Sequence, residues 1–197
     1  MATLLPQTLP DTFTYREALA AGVTKHHLYA LREAHTIEPI GRGLYRRASA
    51  NNVVDLDRLE IAHRAPLATL CLTTALAHHH LTDTNPALAD IALPAGSRRP
   101  VVATPVSWHL FSRATFDIGR ETLPVDRDTD IGVYSAPRSI IDAFRLRHRE
   151  GEDVAYTALR RWLRQPGSSP AALHDMARQF PRTLKPITRA LEILQYD

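Results

Sequence analysis

Residues 13–47 constrain the fold more than any other stretch, because two short helical patterns and one hairpin pattern follow each other without a gap. A helix is predicted over residues 15–21. It is followed by the turn Gly22-Val23 and by Thr24, which is placed to cap a second helix over residues 25–34. Two short helices joined by a tight turn that contains glycine are typical of a helix-turn-helix. The sequence therefore predicts this motif near the N-terminus.

The second of these helices has one apolar and one cationic face. Leu28 and Leu31 are three residues apart, so they fall on the same side of a helix and point inward with Val23. The positions left on the other faces are Lys25, His26, His27, Tyr29 and Arg32. We expect the outward face to be polar and positively charged.

A basic hairpin comes next in the chain. Residues 37–40 predict a strand, Gly41-Arg42-Gly43 a tight turn, and residues 44–47 a returning strand that ends in two arginines. A hairpin in this position is the wing of a winged helix-turn-helix. We place that domain at residues 1–50.

The rest of the chain predicts a second, mixed domain at residues 58–197. Residues 51–57 are typical of a linker, and residues 59–81 are apolar enough for one or two helices interrupted near Pro66. Strand patterns, a helix that opens at Ser135-Ala136-Pro137 and further helical patterns follow, at residues 90–93, 108–111, 131–134, 135–147 and from 152 onward. The predicted fold class is α+β, with an N-terminal winged helix-turn-helix followed by a mixed α/β region with a helical C-terminus.

The composition favours a folded protein without a membrane segment. Hydrophobic residues make up 44% of the chain and charged residues 23%, which provides enough apolar surface for a core. The first residues lack the basic start of a secretory signal, and no apolar run approaches the roughly 20 residues of a membrane-spanning helix. Cys71 is the only cysteine, so neither an internal disulfide nor a multi-cysteine zinc site can form. We expect a cytoplasmic protein with no membrane partner.

Positive charge is concentrated at the two ends of the chain. Residues 1–50 carry six basic and four acidic side chains, residues 51–137 carry seven and ten, and residues 138–197 carry eleven and seven. A basic segment is either an electrostatic footprint for phosphate or a solvated surface. For the C-terminal segment the sequence leaves both interpretations open.

The order of these segments resembles the AbiEi-type antitoxins of type IV toxin–antitoxin systems, which are winged-helix transcriptional regulators. The resemblance is carried by FTYREALAAGVTKHHLYALREAHTIEPIGRGLYRR at 13–47, LTTALAHHHL at 72–81, DIALPAGSRRP at 90–100 and VYSAPRSIIDAFRLRH at 133–148. It implies repression of the protein's own operon through inverted repeats in operator DNA, and opposition to a neighbouring nucleotidyltransferase-like toxin without a guaranteed stable complex. A homodimer on the DNA fits such repeats. The resemblance also places a first helix of the module within residues 3–9.

The DNA-binding prediction names residues on the second helix and on the wing. In a helix-turn-helix the second helix enters the major groove, and its N-terminal residues meet base edges. Arginine bonds two acceptors of guanine at once, so Arg32 and Lys25 are the strongest candidates for sequence reading. The full predicted set is Thr24, Lys25, His26, His27, Tyr29 and Arg32 on the helix, with Arg42, Arg46 and Arg47 on the wing for phosphate or the minor groove. The alternative to DNA binding is that this winged helix has only a structural role or binds protein.

The segment APRSIIDAF predicts a helix start and an ion pair. Arg138 and Asp142 are four residues apart and can pair along a helix. Their role is either structural or part of an exposed antitoxin surface, which we place at Arg138, Asp142, Arg145 and Arg147. The arginines at 145, 147, 149, 160, 161 and 164 are a candidate supplement to nucleic-acid binding.

No motif in the chain has the spacing of a catalytic or metal site. Neighbouring histidines in the run 78–80 point about 100° apart on a helix, so they cannot share one ion. Asp126, Asp128 and Asp130 lack the glycine and glutamate of a calcium loop and are typical of a solvated turn. We therefore predict no enzyme, no metal and no cofactor. The main alternative to an antitoxin is a winged-helix transcription factor with a ligand-sensing C-terminal domain.

Overall fold

The computed structural model describes residues 5–50 and 54–194. The chain divides into two compact units. The first unit contains Met1–Pro66, Pro100–Thr104 and Pro124–Asp130, and the second unit contains Leu67–Arg99, Pro105–Leu123 and Ile131–Asp197. The first unit therefore extends past the predicted wing and takes in two later segments. That residues 1–50 and 58–197 fold as separate domains stays a prediction.

The first unit contains a winged helix-turn-helix. Its elements are β1 (Thr12–Thr14), α1 (Tyr15–Ala20), α2 (Lys25–Glu33), β2 (Ile37–Gly41), β3 (Leu44–Arg47) and α3 (Leu56–Arg64). The strands form an antiparallel sheet in the order β1-β3-β2, in which β2 and β3 are the wing. The predicted α+β class and the predicted winged helix are confirmed.

Local capping explains where α1 and α2 begin. Thr14 accepts a hydrogen bond from the Glu17 backbone at 3.2 Å, and the Glu17 carboxylate accepts one from the Thr14 backbone at 2.6 Å, which forms a capping box. Thr24 accepts from the His27 backbone at 3.2 Å, as the sequence predicted. Between the helices Gly22 adopts a φ of 83°, a conformation that favours glycine and ends α1.

The core of the first unit joins both helices to the N-terminal segment. It consists of Leu5, Leu9, Phe13, Ala18, Val23, Leu28, Leu31 and Ile37. The helix expected within residues 3–9 is wrong for the described part, because residues 6–9 form a turn closed by the bond from the Leu9 backbone to the Pro6 carbonyl. Residues 3 and 4 lie outside the described residues. Leu5 and Leu9, which lie before and at the end of this turn, are thus buried in the core without forming a helix.

The second unit combines a sheet with a helical C-terminus. Its elements are β4 (Thr69–Leu70), α4 (Leu72–His78), β5 (Ala89–Pro94), β6 (Val106–Phe111), α5 (Arg113–Phe116), β7 (Arg120–Asp126), β8 (Thr129–Tyr134), α6 (Ala136–Arg145), α7 (Arg147–Glu150), α8 (Glu152–Leu163), α9 (Pro170–Ala177) and α10 (Pro181–Leu194). The strand order is β6-β5-β4-β8-β7, with β5 antiparallel to β4 and parallel to β6. Residues 124–130 of the β7–β8 hairpin are counted with the first unit.

The three strands predicted after residue 58 are present, whereas the linker, the stretch 59–81 and the strand β7 differ from the sequence predictions. The predicted linker ends early, because α3 begins at Leu56 with Asp55 as its cap. The apolar stretch 59–81 contains the short strand β4 as well as helices, and β7 was not predicted. Helices α6, α8, α9 and α10 enclose the larger core, which includes Phe144, Leu159 and Trp162. Among residues 5–50 and 54–194, no helix has the length and hydropathy needed to cross a membrane.

Candidate DNA interface

The α2 helix separates its apolar and cationic residues as predicted. Leu28 and Leu31 are 4% and 1% exposed, so the inner face is anchored in the core of the first unit. On the other side Lys25, His26 and Arg32 are exposed, and Tyr29 is 48% exposed. The helix therefore presents two full positive charges beside an aromatic ring.

The surroundings of the outward side chains affect what these residues can bind. The Arg32 guanidinium carbon lies 5.5 Å from the centre of the Tyr29 ring, a cation–π contact that restrains both side chains. His27 is half-buried, and its Nε2 has no hydrogen-bond partner among the described residues. Thr24 Oγ1 accepts a hydrogen bond from the His27 backbone, which leaves its hydroxyl proton and one lone pair for a ligand.

The turn of the wing is held from the side by α3. Arg64 donates a hydrogen bond to the Arg42 carbonyl, and Gly43 in the same turn has a φ of 65°. At Gly41 an added β-carbon would collide with the Glu60 carboxylate, so any larger residue there requires that carboxylate to move. The Arg42 side chain itself is exposed at the tip. Arg42 is thus the wing arginine best presented to a phosphate backbone.

Arg46 faces inward, which argues against the predicted phosphate contact. Its side chain is 8% exposed and donates to Asp126 Oδ2 at 2.6 Å and to Thr12 Oγ1 at 3.2 Å. Thr12 in turn donates to the same Asp126 oxygen at 3.1 Å. The guanidinium is already occupied by a buried carboxylate, because β3 alternates its side chains and places position 46 on the inner face.

Arg47 has its own partners within the first unit. Its guanidinium donates to the carbonyls of Pro6 and Leu9, and the side chain is half-buried. These bonds tie the N-terminal turn to the end of β3. We therefore assign Arg47 mainly to holding that turn, whereas the sequence pattern assigned it to DNA.

Asp126 is the residue that sequence reasoning missed. The pattern of three aspartates predicted a solvated turn, yet the Asp126 side chain is 3% exposed and paired with Arg46. The two residues are 80 positions apart, so no local pattern signals the pair.

His63 on α3 also lies close to this pair. Burial lowers the pKa of His63, while Glu17 and Asp126 partly oppose that shift. The Thr129 hydroxyl lies 3.4 Å from its Nε2. This histidine is therefore held in its neutral form over part of the pH range in which an exposed histidine is charged.

In the second unit the predicted Arg138–Asp142 pair is present, but it is not on a surface. Arg138 Nε donates to Asp142 Oδ2 at 3.0 Å, and both side chains are 0% exposed. Arg138 also donates to the carbonyls of Thr115 and Ile118, and its guanidinium carbon lies 4.1 Å from the Tyr134 ring centre. The prediction of an exposed antitoxin surface at Arg138 and Asp142 is wrong, because α6 is buried on this side.

The other two residues of that predicted surface are partly exposed. Arg145 pairs with Asp142 Oδ1 at 3.1 Å, and Arg147 pairs with Glu152 at 3.4 Å. Their side chains are 26% and 24% exposed. Burial raises the pKa of Asp142, while the guanidiniums of Arg138 and Arg145 oppose this shift. A surface role for Arg145 and Arg147 stays a prediction.

The histidine run has structural partners. His79 Nε2 lies 2.7 Å from the Tyr134 carbonyl, which joins the end of α4 to β8. In the part of the chain that the structure describes, no three histidine, cysteine or carboxylate side chains gather as metal ligands.

Comparison with known proteins adds one finding to this geometry. No curated protein matches the chain. Residues 2–48, which hold α1, α2 and the wing, match the family described as a transcriptional regulator, AbiEi antitoxin, and this match confirms the resemblance over the winged helix.

Proposed function

We propose that the chain binds operator DNA through α2, represses its own operon, and is the antitoxin of a type IV toxin–antitoxin pair. The observation that carries this proposal is the outward face of α2. Lys25 and Arg32 are exposed on a helix whose opposite side is fixed by buried leucines. A cationic helix held rigidly in a winged helix-turn-helix is suited to the major groove.

Base reading falls to Lys25 and Arg32 in this proposal. Each bidentate contact to a guanine is worth about 1–3 kcal/mol of discrimination. His26, His27 and Tyr29 lie on the same surface and supply shorter-range polar contacts, and the Thr24 hydroxyl has one proton left to donate to phosphate. The contact of Arg32 with Tyr29 pre-orders the guanidinium and so lowers the entropy lost on binding.

Arg42 supplies the wing contact. Its side chain is exposed at the turn between β2 and β3, and α3 fixes the backbone behind it. Such a contact adds affinity for every sequence and carries no base preference. Two copies of the chain on an inverted repeat would each read one half-site, with the half-sites about 34 Å apart or a multiple of that distance.

The antitoxin part of the proposal rests on the family description matched by residues 2–48. The expected opponent is a nucleotidyltransferase-like toxin encoded beside this gene, and no stable complex is required. We assign protection to the second unit, which has its own core, with Arg145 and Arg147 as the partly exposed candidates of the predicted surface. No catalytic step of this chain is involved.

Co-expression with the neighbouring toxin gene tests both parts. The full chain carrying Lys25→Ala and Arg32→Ala should lose repression of a reporter behind its own promoter and still protect cells. A matched control, Arg182→Ala, changes an exposed arginine of the second unit and should keep both activities. Point variants are preferred to removal of residues 1–50, because that deletion would leave Asp126 buried without Arg46.

The possible outcomes separate the two claims. Undiminished repression by the double variant would contradict DNA reading by α2. Failure of the unaltered chain to protect would contradict the antitoxin assignment and favour the transcription factor with a ligand-sensing C-terminal domain.

A further inference from the structure

The strand β6 forms one edge of the sheet in the second unit. The strand order is β6-β5-β4-β8-β7, so β6 pairs with β5 on one side. Among residues 5–50 and 54–194, no strand pairs with its other side. An unpaired edge presents a row of backbone N–H and C=O groups to which a further extended chain can bind.

The two edge strands of this sheet differ in how they discourage such pairing. The strand β7 has the sequence RETLPVD, which contains charged side chains and a proline. The strand β6 has the sequence VSWHLF, without lysine, arginine, aspartate, glutamate or proline. Charges and proline are common means by which an edge strand avoids pairing with another chain. The β6 edge therefore lacks the protective residues that β7 has.

A cavity of about 590 Å³ runs along the outer side of β6. Its lining consists of the unbroken run Trp108–Ser112 together with Arg99, Arg145, Leu146 and Arg149. Consecutive side chains of a strand point to opposite faces of the sheet, so a space that touches an unbroken run of them lies beside the strand and not over one face. All the lining residues belong to the second unit. The cavity therefore lies where an added strand would pair with β6.

The backbone groups on the outer side of β6 belong to Trp108 and Leu110. The Phe111 carbonyl accepts a hydrogen bond from the Ala95 backbone, directly after β5, at 2.7 Å, so Phe111 is oriented toward β5. The N–H and C=O of one residue point to the same side of a strand, and successive residues alternate. Trp108 and Leu110 therefore each present an N–H and a C=O to the cavity side.

The side chains on the two faces of β6 have different chemistry. The Arg145 guanidinium carbon lies 4.6 Å from the centre of the Phe111 ring, so the face that holds Phe111 also holds a cation. By alternation the Trp108 and Leu110 side chains lie on the opposite face. Leu110 is 43% exposed, and Trp108 is half-buried. An added strand would thus meet positive charge on one face and apolar surface on the other.

The charge around the cavity favours an acidic partner. Three arginines line it, and none of the described lining residues is acidic. Arg145 pairs with Asp142, whereas Arg99 and Arg149 are exposed. Guanidinium groups bind carboxylates through two parallel N–H donors. A second copy of this chain would bring the same arginines to the cavity, and like charges across an interface repel each other.

We infer that the β6 edge binds an extended, acidic segment of a partner protein, which adds a strand beside β6. The acidic side chains of that segment face Arg145 and Arg149, and the side chains between them lie beside Trp108 and Leu110. The segment therefore alternates acidic and apolar residues. This inference is independent of DNA reading by α2, because only residues of the second unit take part.

Binding of synthetic peptides to the full chain tests the inference. The probe is a fluorescent peptide of about eight residues, a usual strand length, that alternates glutamate and valine and has blocked ends. Its anisotropy should rise saturably as the chain is added. The matched peptide that alternates lysine and valine should bind at least about tenfold more weakly, because it places positive charge against the arginines.

N-methylated forms of the probe test whether binding uses strand pairing. One form is methylated at the glutamate amides and the other at the valine amides. Alternate N–H groups of a strand point to opposite edges, so only one form loses the donors that face β6. That form should bind at least about tenfold more weakly, and the other form should keep the affinity of the probe.

Variants of the chain locate the binding edge. Arg99→Glu reverses an exposed charge of the lining and should weaken probe binding at least about tenfold. Arg182→Glu reverses an exposed arginine of α10 that does not line the cavity and should leave the affinity unchanged. Leu110→Pro removes an outward N–H without removing a bond to β5 and should also weaken binding. Circular dichroism of each variant confirms folding, and the two charge variants decide the matter without Leu110→Pro.

Several results would overturn the inference. They are the absence of saturable probe binding up to about 1 mM, equal binding of the lysine peptide, retained binding by both N-methylated forms, and equal effects of Arg99→Glu and Arg182→Glu. Binding of a single-stranded oligonucleotide without binding of the probe would assign the arginines to nucleic acid. A dimer of the chain that Leu110→Pro dissociates would assign the edge to a second copy.

Discussion

Arginine has opposite surroundings in α2 and in α6. On α2, Arg32 is exposed and lies beside the Tyr29 ring. On α6, Arg138 is 0% exposed, pairs with Asp142 and lies against aromatic rings. The same side chain is thus a candidate ligand contact in one helix and part of a core in the other, and neighbours distant in the chain decide which.

The wing repeats this contrast within a single hairpin. Arg42 at the turn is exposed, whereas Arg46 four residues later is buried against Asp126. Counting basic residues therefore overstates the DNA-facing charge of the first unit. Among the residues predicted to bind DNA, the exposed full positive charges are those of Lys25, Arg32 and Arg42.

The largest expected effect is the loss of stability when Arg138 is replaced. Replacing it with alanine leaves Asp142 buried without its main partner, which should lower the free energy of unfolding by about 3–5 kcal/mol. Urea unfolding followed by circular dichroism measures this change. Arg164→Ala, at an exposed position, should stay within about 0.5 kcal/mol of the unaltered chain. Equal small effects in both variants would remove the distinction between buried and exposed arginines.

Replacing Arg46 should lower the stability of the chain, as replacing Arg138 should, whereas replacing Arg42 should not. Arg46→Ala should destabilise the chain by about 3 kcal/mol, at the lower end of the range for a broken buried pair, because Thr12 still donates to Asp126. Arg42→Ala should have almost no effect on unfolding. If Arg46→Ala unfolds like the unaltered chain but binds DNA more weakly, the wing presents Arg46 to DNA and the contrast within the hairpin is wrong.

Arg42 should act through phosphate alone. Arg42→Gln should weaken binding to specific and random duplexes alike and reduce the slope of log affinity against log salt by about one unit. Fluorescence anisotropy over a range of salt concentrations measures both. A loss confined to the specific duplex would show that the wing reads bases.

The smallest expected effect is the contribution of His63 to the pH dependence of stability. Its pKa is lowered in the folded chain, so below the unfolded value of about 6.5 the unfolded state takes up a proton that the folded state does not. Stability should therefore fall as the pH drops through that value. His63→Gln should reduce the difference in urea midpoint between pH 7.5 and pH 5.5. An unchanged difference would mean that other groups carry the acid sensitivity.

Local signals explain which parts of the fold were predictable. The α2 helix was predictable because its signals are local: Thr24 caps its start, and the buried residues Leu28 and Leu31 are three positions apart. The strand β1 was not predicted, because its three residues become a strand only by pairing with β3. The Arg46–Asp126 pair joins residues 80 positions apart and has no local pattern.

The candidate sites also differ in how far the sequence predicts them. The cationic face of α2 follows from helix periodicity, so the sequence predicted it. The cavity of the second unit combines residues near 99, 108–112 and 145–149, which only the fold brings together. For Arg138 and Asp142 the four-residue spacing predicted the pair, but the burial depends on β8 and on the aromatic residues Tyr134 and Phe180.

DNA reading by α2 is tested most directly by binding of the Lys25→Ala, Arg32→Ala variant to duplexes from the region upstream of the gene. Anisotropy titrations should show a loss of at least about tenfold on the best duplex and a reduced preference over random DNA, because each lost base contact is worth about 1–3 kcal/mol. Urea unfolding should be unchanged, since both side chains are exposed. Unaltered affinity together with unaltered preference would contradict the account.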